Sequence, residues 1–126
     1  MSEASSPFTS PTEQDQILKN DLCYARLDKY PVSKGHLLII PFREFPSYFD
    51  ATEAEKRALW ALLDEARTWL DGRYHPAGYN IGINVGAAAG QTVIHMHIHV
   101  IPRYERDMAD PSGGVRGVIP GKQKYS

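Results

Sequence analysis

The chain contains 126 residues, of which 42% are hydrophobic and 23% are charged, a composition typical of one soluble globular domain. Lysine and arginine total 14 against 15 aspartates and glutamates, and the resulting formal net charge of -1 argues against a polybasic protein that binds nucleic acid or a membrane surface. The single cysteine excludes an intrachain disulfide and any zinc site that takes two cysteine ligands from one chain.

The N-terminal region lacks the basic and apolar stretches of a secretory signal, and no apolar run approaches the roughly 20 residues that span a bilayer. We therefore expect a cytoplasmic protein. Residues 1–9 are rich in serine and proline and are predicted to be a flexible segment. Ser10, Pro11 and Glu13 then fit the N-cap, first-turn and capping-box positions of a helix, which predicts a short N-terminal helix that ends near Asn20.

Two short strands and the main helix follow. Residues 22–27 alternate roughly between apolar and polar side chains, and residues 36–41 form an apolar run that ends at a proline; both patterns predict strands. Thr52, with Glu55 three residues later, predicts the start of a long helix. Apolar residues recur at helical spacing after it, and Gly72 is expected to terminate the helix.

The second half of the chain is predicted to contain two more strands, over 79–85 and 91–102, with a loop of small residues between them. Beyond Tyr104 the sequence is polar and rich in glycine and proline. The expected organisation is one domain over residues 10–104, followed by a C-terminal tail over 105–126. The order of elements predicts an α+β fold in which helices pack on a mostly antiparallel sheet.

The most informative segment is 94–100, where three of the chain's five histidines alternate with apolar residues. Because side chains on a strand alternate between its two faces, His95, His97 and His99 are predicted to share the exposed face of the sheet. The apolar residues of the segment, Ile94 included, are predicted to pack against the long helix. His36 begins the earlier apolar strand and is expected to join this histidine cluster.

Such a stripe of histidines allows three interpretations. It can be a solvated surface, a site for Zn²⁺, Cu²⁺ or Fe²⁺, or a nucleophile whose neighbours stabilise an anionic substrate. The loop immediately upstream favours the third, because Gly86 and Gly90 flank three alanines and such a loop can turn its backbone amides toward an anion. Asn84, Gln91 and Thr92 add side-chain donors and are poor zinc ligands.

The segment 95–101, His-Met-His-Ile-His-Val-Ile, resembles the signature of the histidine-triad family of nucleotide hydrolases and transferases. Further segments match the family's other landmarks: 34–41, 84–86 and 90–93. The resemblance covers about residues 15–104 and implies the family fold, with about five strands, one long helix and a short N-terminal helix. The tail, with residues 113–120, looks like that of prokaryotic members.

The resemblance also implies a role for each residue. His97 would be the nucleophile that attacks the α-phosphorus of a nucleotide, His99 would contact the α-phosphate, and His95 would support His97. His36 would complete the histidine cluster, and Asp28 would bind the ribose hydroxyls, although stabilising a turn is the simpler role for an aspartate there. The substrate's phosphates would be bound by Asn84, Gly90, Gln91 and Thr92.

These expectations describe an enzyme that cleaves a nucleoside polyphosphate or phosphoramidate at its α-phosphate through a covalent nucleotidyl-histidine on His97. An adenosine dinucleoside polyphosphate is the expected substrate. No metal cofactor is expected, although Mg²⁺ can accompany a polyphosphate. Two alternatives stay open: a metal-binding protein with the histidines as ligands, and a nucleotide-binding sensor with little turnover. The resemblance further implies a homodimer, without a nucleic-acid or membrane partner.

Overall fold

The computed structural model describes residues 6–125, which form one antiparallel sheet with a long helix on one of its faces. The strands are, in chain order, β1 (Leu18–Lys19), β2 (Cys23–Leu27), β3 (Leu37–Pro41), β4 (Gly78–Gly82) and β5 (Ile98–Arg103). The helix α1 (Glu53–Tyr74) lies between β3 and β4 in sequence, and the strand order across the sheet is β1-β2-β3-β5-β4. Three short 3₁₀ helices complete the described structure: Tyr48–Asp50, Ala87–Ala89 and Gly114–Val118. The predicted α+β class, the five strands and the single long helix are confirmed.

The core lies between α1 and one face of the sheet. Alternate residues of the strands and one side of α1 form a single buried cluster, which includes Ala25, Leu37, Ile39, Ile98, Val100, Leu59, Leu62, Ala66 and Leu70. Each is at most 1% exposed, and burying a side chain of this size stabilises a fold by about 1.5–3 kcal/mol. Because strand side chains alternate, the residues between these positions face away from the helix, and β5 places His99 on that opposite face.

Helix α1 begins as predicted and ends later than predicted. The Thr52 hydroxyl accepts a hydrogen bond from the Glu55 amide at 3.1 Å, and the Glu55 carboxylate accepts one from the Thr52 amide at 2.8 Å. Gly72 lies inside the helix, which ends instead at His75, in the left-handed conformation with φ 54°. The extra residues place the partly buried Tyr74 against Gly35, where a side chain would come within 2.9 Å of the Tyr74 ring. This tertiary contact extends the helix beyond its local stop signal.

The predicted N-terminal helix is wrong. The capping pattern is present two residues later, at Thr12 and Asp15, whose side chains each accept a hydrogen bond from the other's amide, at 3.2 and 3.1 Å. Only one turn forms before the chain enters β1, where Leu18 pairs with Ala25. A helix this short has too few hydrogen bonds to offset its nucleation, whereas the edge of β2 supplies ready partners.

The two ends of the described chain lie beside the sheet. Within the predicted flexible segment 1–9, Phe8 is buried, and its carbonyl accepts a hydrogen bond from the Tyr24 hydroxyl at 2.7 Å. Residues 1–5 lie outside the described residues. In the tail, the 3₁₀ helix Gly114–Val118 contacts β4. Between residues 6 and 125, no helix has the length and apolar character needed to cross a bilayer.

Candidate active site

The histidine stripe is not the continuous strand that the sequence predicts. Strand β5 begins only at Ile98, and residues 91–97 follow an irregular path in which the Met96 amide donates to the Phe45 carbonyl at 2.8 Å. His95 is therefore fully buried, instead of lying on an exposed face, and Ile94 is 57% exposed, instead of packing against the helix. The alternation itself is confirmed from Met96 onward, because Met96, Ile98 and Val100 pack in the same cluster as α1. It is wrong at Ile94, which lies in the irregular segment before β5.

His95 is held inside the protein by two long-range hydrogen bonds. Its Nε2 lies 2.8 Å from the Pro41 carbonyl, which can only accept, so Nε2 bears the proton. Its Nδ1 lies 2.8 Å from the Ser6 hydroxyl, which donates to it. His95 thus has no free ring nitrogen for a substrate. Its contribution to the site is its backbone carbonyl, which lies 2.8 Å from Nδ1 of His97.

The contact with the His95 carbonyl determines the chemistry of His97. Because a carbonyl can only accept, Nδ1 of His97 bears the proton, and Nε2 keeps its lone pair. His97 is partly exposed and lines a cavity. An imidazole whose Nδ1–H is held by a carbonyl is oriented to attack through Nε2.

His36 and His99 form a second chain of hydrogen bonds. The backbone amide of Val32 donates to Nδ1 of His36 at 3.1 Å, so the proton of His36 is on Nε2. That proton is donated to Nδ1 of His99 across 3.0 Å. His99 therefore presents an Nε2–H, a donor, toward its surroundings. The predicted meeting of His36 with the triad is found, and it makes His99 a hydrogen-bond donor beside His97.

Burial keeps these supporting imidazoles neutral. It lowers the pKa of His36 and of His95 below the usual 6.5, although Asp28 and the Pro41 carbonyl act in the opposite direction on these two groups. The pKa of His99 is lowered to about 4, first by burial and then by the neighbouring imidazoles of His97 and His36. In this arrangement each ring donates through one nitrogen and accepts through the other, which only a neutral imidazole can do.

Asp28, His36 and His99 come close enough together to be considered as metal ligands, with their ligand atoms all within 4.8 Å of one another. The hydrogen bonds argue against this use. A metal ion needs the lone pair of a neutral imidazole nitrogen, but the Val32 amide leaves His36 with its proton on Nε2, the atom that faces the other two groups. The residues therefore do not fit a metal ion without breaking the Val32 contact.

The cavity in front of His97 has a volume of about 480 Å³. Its wall includes an apolar part, to which Phe8 and Leu38 belong, and a polar part, which includes Asn84, Thr92 and His99. Within residues 6–125, the side chains of Asn84 and Thr92 make no hydrogen bond that would prevent them from binding a ligand. The structure thus brings these predicted phosphate-binding donors to the cavity that His97 lines.

Gln91 and the loop between Gly86 and Gly90 use their hydrogen-bond donors within the protein, whereas the sequence predicts that they bind phosphate. The Gln91 amide donates to the carbonyls of Pro46 and Val93, at 2.7 and 3.2 Å, and accepts from the Gly86 amide at 2.9 Å. The backbone amides of residues 89–91 donate to carbonyls within the same loop. Gly86 and Gly90 adopt positive φ angles of 89° and 92°, as a tight loop requires. Gln91 and Gly90 line the cavity, but their N–H groups donate to carbonyl groups of the protein and so stabilise the loop.

Asp28 has the turn role that the sequence left open, and its ribose-binding role stays a prediction. One carboxylate oxygen accepts from the Tyr30 amide at 2.9 Å, which stabilises the turn after β2. The other lies 3.5 Å from Nε2 of His36. Asp28 also lines the cavity, where a carboxylate can accept hydrogen bonds from the hydroxyls of a sugar.

Ser6, Phe8 and Arg26 are among the residues at the site that were not predicted. Ser6 holds His95, and the Phe8 ring meets His97 edge-on with 5.2 Å between ring centroids. Both lie in the segment that was predicted to be flexible, and only its single aromatic residue could have indicated packing. Arg26 lies on β2 two residues before Asp28, which directly follows that strand, and this alternation is a signal that the sequence contains.

A model of the HIT domain family matches residues 10–106. The chain belongs to the HIT domain family. It is 35% identical over 107 residues to the "AP-4-A phosphorylase" of Mycobacterium tuberculosis, an alignment that covers 80% of this chain and 55% of that protein. It is 32% identical over 100 residues to the "Bis(5'-nucleosyl)-tetraphosphatase [asymmetrical]" of Schizosaccharomyces pombe, with 79% of this chain and 55% of that protein covered.

A solved structure of a HIT family protein from Bacillus anthracis matches with a TM-score of 0.70 and 30% identity, covering 75% of this chain and 67% of that one. The HIT fold is thus shared with an experimental structure. This HIT domain chain spans just over half the length of the two named enzymes. Residues 95–101, which suggested the family, lie within the matched range 10–106.

Proposed function

We propose that this HIT domain protein is an enzyme that cleaves a nucleoside polyphosphate or phosphoramidate at the α-phosphate, with His97 as the nucleophile. The observation that supports this most directly is the protonation pattern of the histidines. His97 lines the cavity with a free Nε2 lone pair, and His99 beside it offers an N–H. A nucleophile with an adjacent neutral donor is suited to attack a phosphorus atom whose oxygens are negatively charged.

In the first step, Nε2 of His97 forms a bond to the α-phosphorus. The bond between that phosphorus and the bridging oxygen breaks, and its electron pair leaves with the departing phosphate; in a phosphoramidate the bridging nitrogen takes up a proton from solvent and leaves as the amine. The positive charge on the His97 ring is stabilised at Nδ1–H by the His95 carbonyl. The Nε2–H of His99 and the side chains of Asn84 and Thr92 donate to the phosphate oxygens.

In the second step, water attacks the α-phosphorus and the bond to Nε2 of His97 breaks. The electron pair returns to the ring, a proton is released, and the mononucleotide leaves. Across both steps one water is consumed and one phosphoanhydride or phosphoramidate bond is broken. Dividing the displacement into two easier steps is the general advantage of covalent catalysis.

The names of the relatives support dinucleoside polyphosphates as the substrate class, and adenosine compounds are the first to assay. A requirement for a bound transition metal has less support, because His36 and His95 have no lone pair to offer such an ion. We therefore expect turnover of a phosphoramidate to survive chelation. The sensor alternative predicts tight nucleotide binding without turnover. A homodimer and a cytoplasmic location are further parts of the proposal.

The test is a reaction with a substrate labelled in its α-phosphate, stopped with detergent at alkaline pH, where a phosphorus–nitrogen bond to histidine is preserved, and followed by peptide mapping. We expect an acid-labile label on His97, and we expect His97→Ala to keep nucleotide binding while kcat falls by about 10⁴-fold or more. His75→Asn is the matched control, because it removes an exposed histidine outside the cavity and asparagine tolerates the left-handed backbone there. Full activity in His97→Ala, or a label on another residue, would contradict the proposal.

A further inference from the structure

Arg26 is a buried cation in the wall of the substrate cavity. It lies on β2, and only 5% of its surface is exposed. It lines the same cavity as Asp28 and His97. Arginine is rarely this buried unless other groups pair with its guanidinium, so the partners of Arg26 decide whether it is structural.

The partners of Arg26 use only part of its hydrogen-bonding capacity. Its guanidinium lies 3.4 Å from an oxygen of Asp15, and it lowers the pKa of the Tyr24 hydroxyl against the larger opposite effect of burial. Asp15 and the Tyr24 hydroxyl are its polar neighbours, and the Phe8 ring centroid lies 5.9 Å from the guanidinium carbon, so these contacts account for only part of the five N–H donors of a guanidinium. No fully buried nitrogen in the described structure lacks a partner, so the unbonded nitrogens of Arg26 keep some exposed surface. The exposed surface of these nitrogens faces the cavity that Arg26 lines.

Arg26 also lies in the same cross-strand row of the sheet as His99. Across the sheet, Arg26 is paired with Leu38, and Leu38 is paired with His99. Neighbouring strands are about 4.8 Å apart, so Arg26 is roughly 10 Å from His99 along this row. The proposed function places the α-phosphorus at His97 and the ribose at Asp28. A nucleotide held at these two points extends its base over Leu38 toward Arg26.

We propose that Arg26 donates hydrogen bonds to the base of the attacked nucleoside and selects guanine over adenine. Guanine presents two adjacent acceptors, O6 and N7, which match the paired donors of a guanidinium. Adenine has an amino group where guanine has O6, so N7 is its only acceptor on this edge. The adenine amino group would face a guanidinium N–H, and two donors form no hydrogen bond. Asp15 holds the guanidinium from the side, which fixes its direction. This inference rests on the proposed function.

The test uses one substrate that contains both bases, a tetraphosphate with adenosine at one end and guanosine at the other. Attack at the guanosine end yields GMP and ATP, whereas attack at the adenosine end yields AMP and GTP. The ratio of GMP to AMP reports base selection within one molecule, so it is independent of the fraction of active enzyme. We expect a ratio of about 10 or more for the natural chain, the amount that one good bidentate contact supplies.

Two variants separate hydrogen bonding from charge. Arg26→Met is expected to bring the ratio close to 1, and Arg26→Lys, which keeps the charge but loses the planar pair of donors, is expected to lose most of the selection. Arg57→Met removes an exposed arginine from α1 and is expected to leave the ratio unchanged. A ratio near 1 in the natural chain, or a ratio that Arg26→Met does not alter, would overturn the assignment. Formation of ADP and GDP alone would instead refute attack at the α-phosphate, and no cleavage would refute the polyphosphate as substrate; either result removes the inference as well.

Discussion

At the scale of single residues, the site is defined by where each histidine holds its proton. Carbonyl groups at Pro41 and His95 can only accept, and the Val32 amide can only donate, so three backbone groups determine the tautomers of the neighbouring rings. The result is one ring with a free lone pair, His97, and one with a free donor, His99. Four similar side chains therefore have different chemical roles.

The neutral state of His99 predicts how stability depends on pH. Its pKa is about 4 in the folded protein and 6.5 ordinarily, so between these values the unfolded chain binds more protons. The free energy of unfolding should therefore fall as the pH is lowered from about 6.5 to about 4, with His36 and His95 adding in the same direction. Urea titrations at pH 7.5 and pH 5 should show this group contributing a loss of about 1–2 kcal/mol.

The His99→Asn variant is the comparison for this measurement. It removes one titrating group, so its stability should depend less steeply on pH than that of the natural chain. An equal pH dependence in the two proteins would show that His99 is not protonated more readily in the unfolded state.

At the scale of elements, α1 shows how far a local pattern determines a boundary. The capping box at Thr52 and Glu55 involves residues three apart, and its N-terminal end is where the sequence predicts it. Glu55 is also held by Arg43, with contacts of 2.7 and 3.0 Å that lower the pKa of its carboxyl. The C-terminal end depends on Tyr74 and Gly35, which are far apart in the sequence, and it was predicted wrongly.

Replacing the cap should have a measurable cost. Thr52→Ala is expected to lower the free energy of unfolding by about 1 kcal/mol, because the Glu55 amide loses its acceptor at the helix start. Thr68→Ala makes the same substitution at an exposed position inside the same helix, where alanine is the better helix former, and it should be neutral or stabilising. Chemical denaturation of both variants decides the matter: a Thr52→Ala protein as stable as the natural one would show that the capping box is unimportant.

At the scale of the whole molecule, the face of the sheet opposite α1 contains the chemistry. The N-terminal segment covers part of this face, where Phe8 contacts His95 and His97. At the other side of the sheet, β4 is the terminal strand, and Ile81 on it is 41% exposed. A terminal strand has unused backbone hydrogen-bonding groups along one edge, which is a natural place for a second copy to pair.

We therefore expect the proposed homodimer to pair along β4. Light scattering at micromolar concentration should give twice the mass of the chain, and Ile81→Lys, which places a charge at that edge, should shift the protein to a monomer. Leu22→Lys, a substitution of a similar apolar residue at the other side of the sheet before β2, is the control and should leave the mass unchanged. A monomeric natural chain would contradict the dimer.

The sequence alone determined the features that depend on neighbouring residues. The alternation at 94–100 identified the histidines, the pattern at Thr52 located the long helix, and the glycines at 86 and 90 marked a tight loop. Each of these signals lies within a few consecutive residues, where side-chain periodicity and capping act. The family, the fold class and several of the residues around the cavity follow from them.

Only the tertiary structure decided what each group does. His95 depends on Ser6 and Pro41, which are 89 and 54 positions away, and these contacts bury it and assign its proton. The same holds for Gln91, whose amide is occupied by Pro46, and for Arg26, whose position opposite Leu38 follows from strand register. A tautomer, an occupied donor or a base contact depends on which distant backbone group comes within about 3 Å, and no local pattern specifies that.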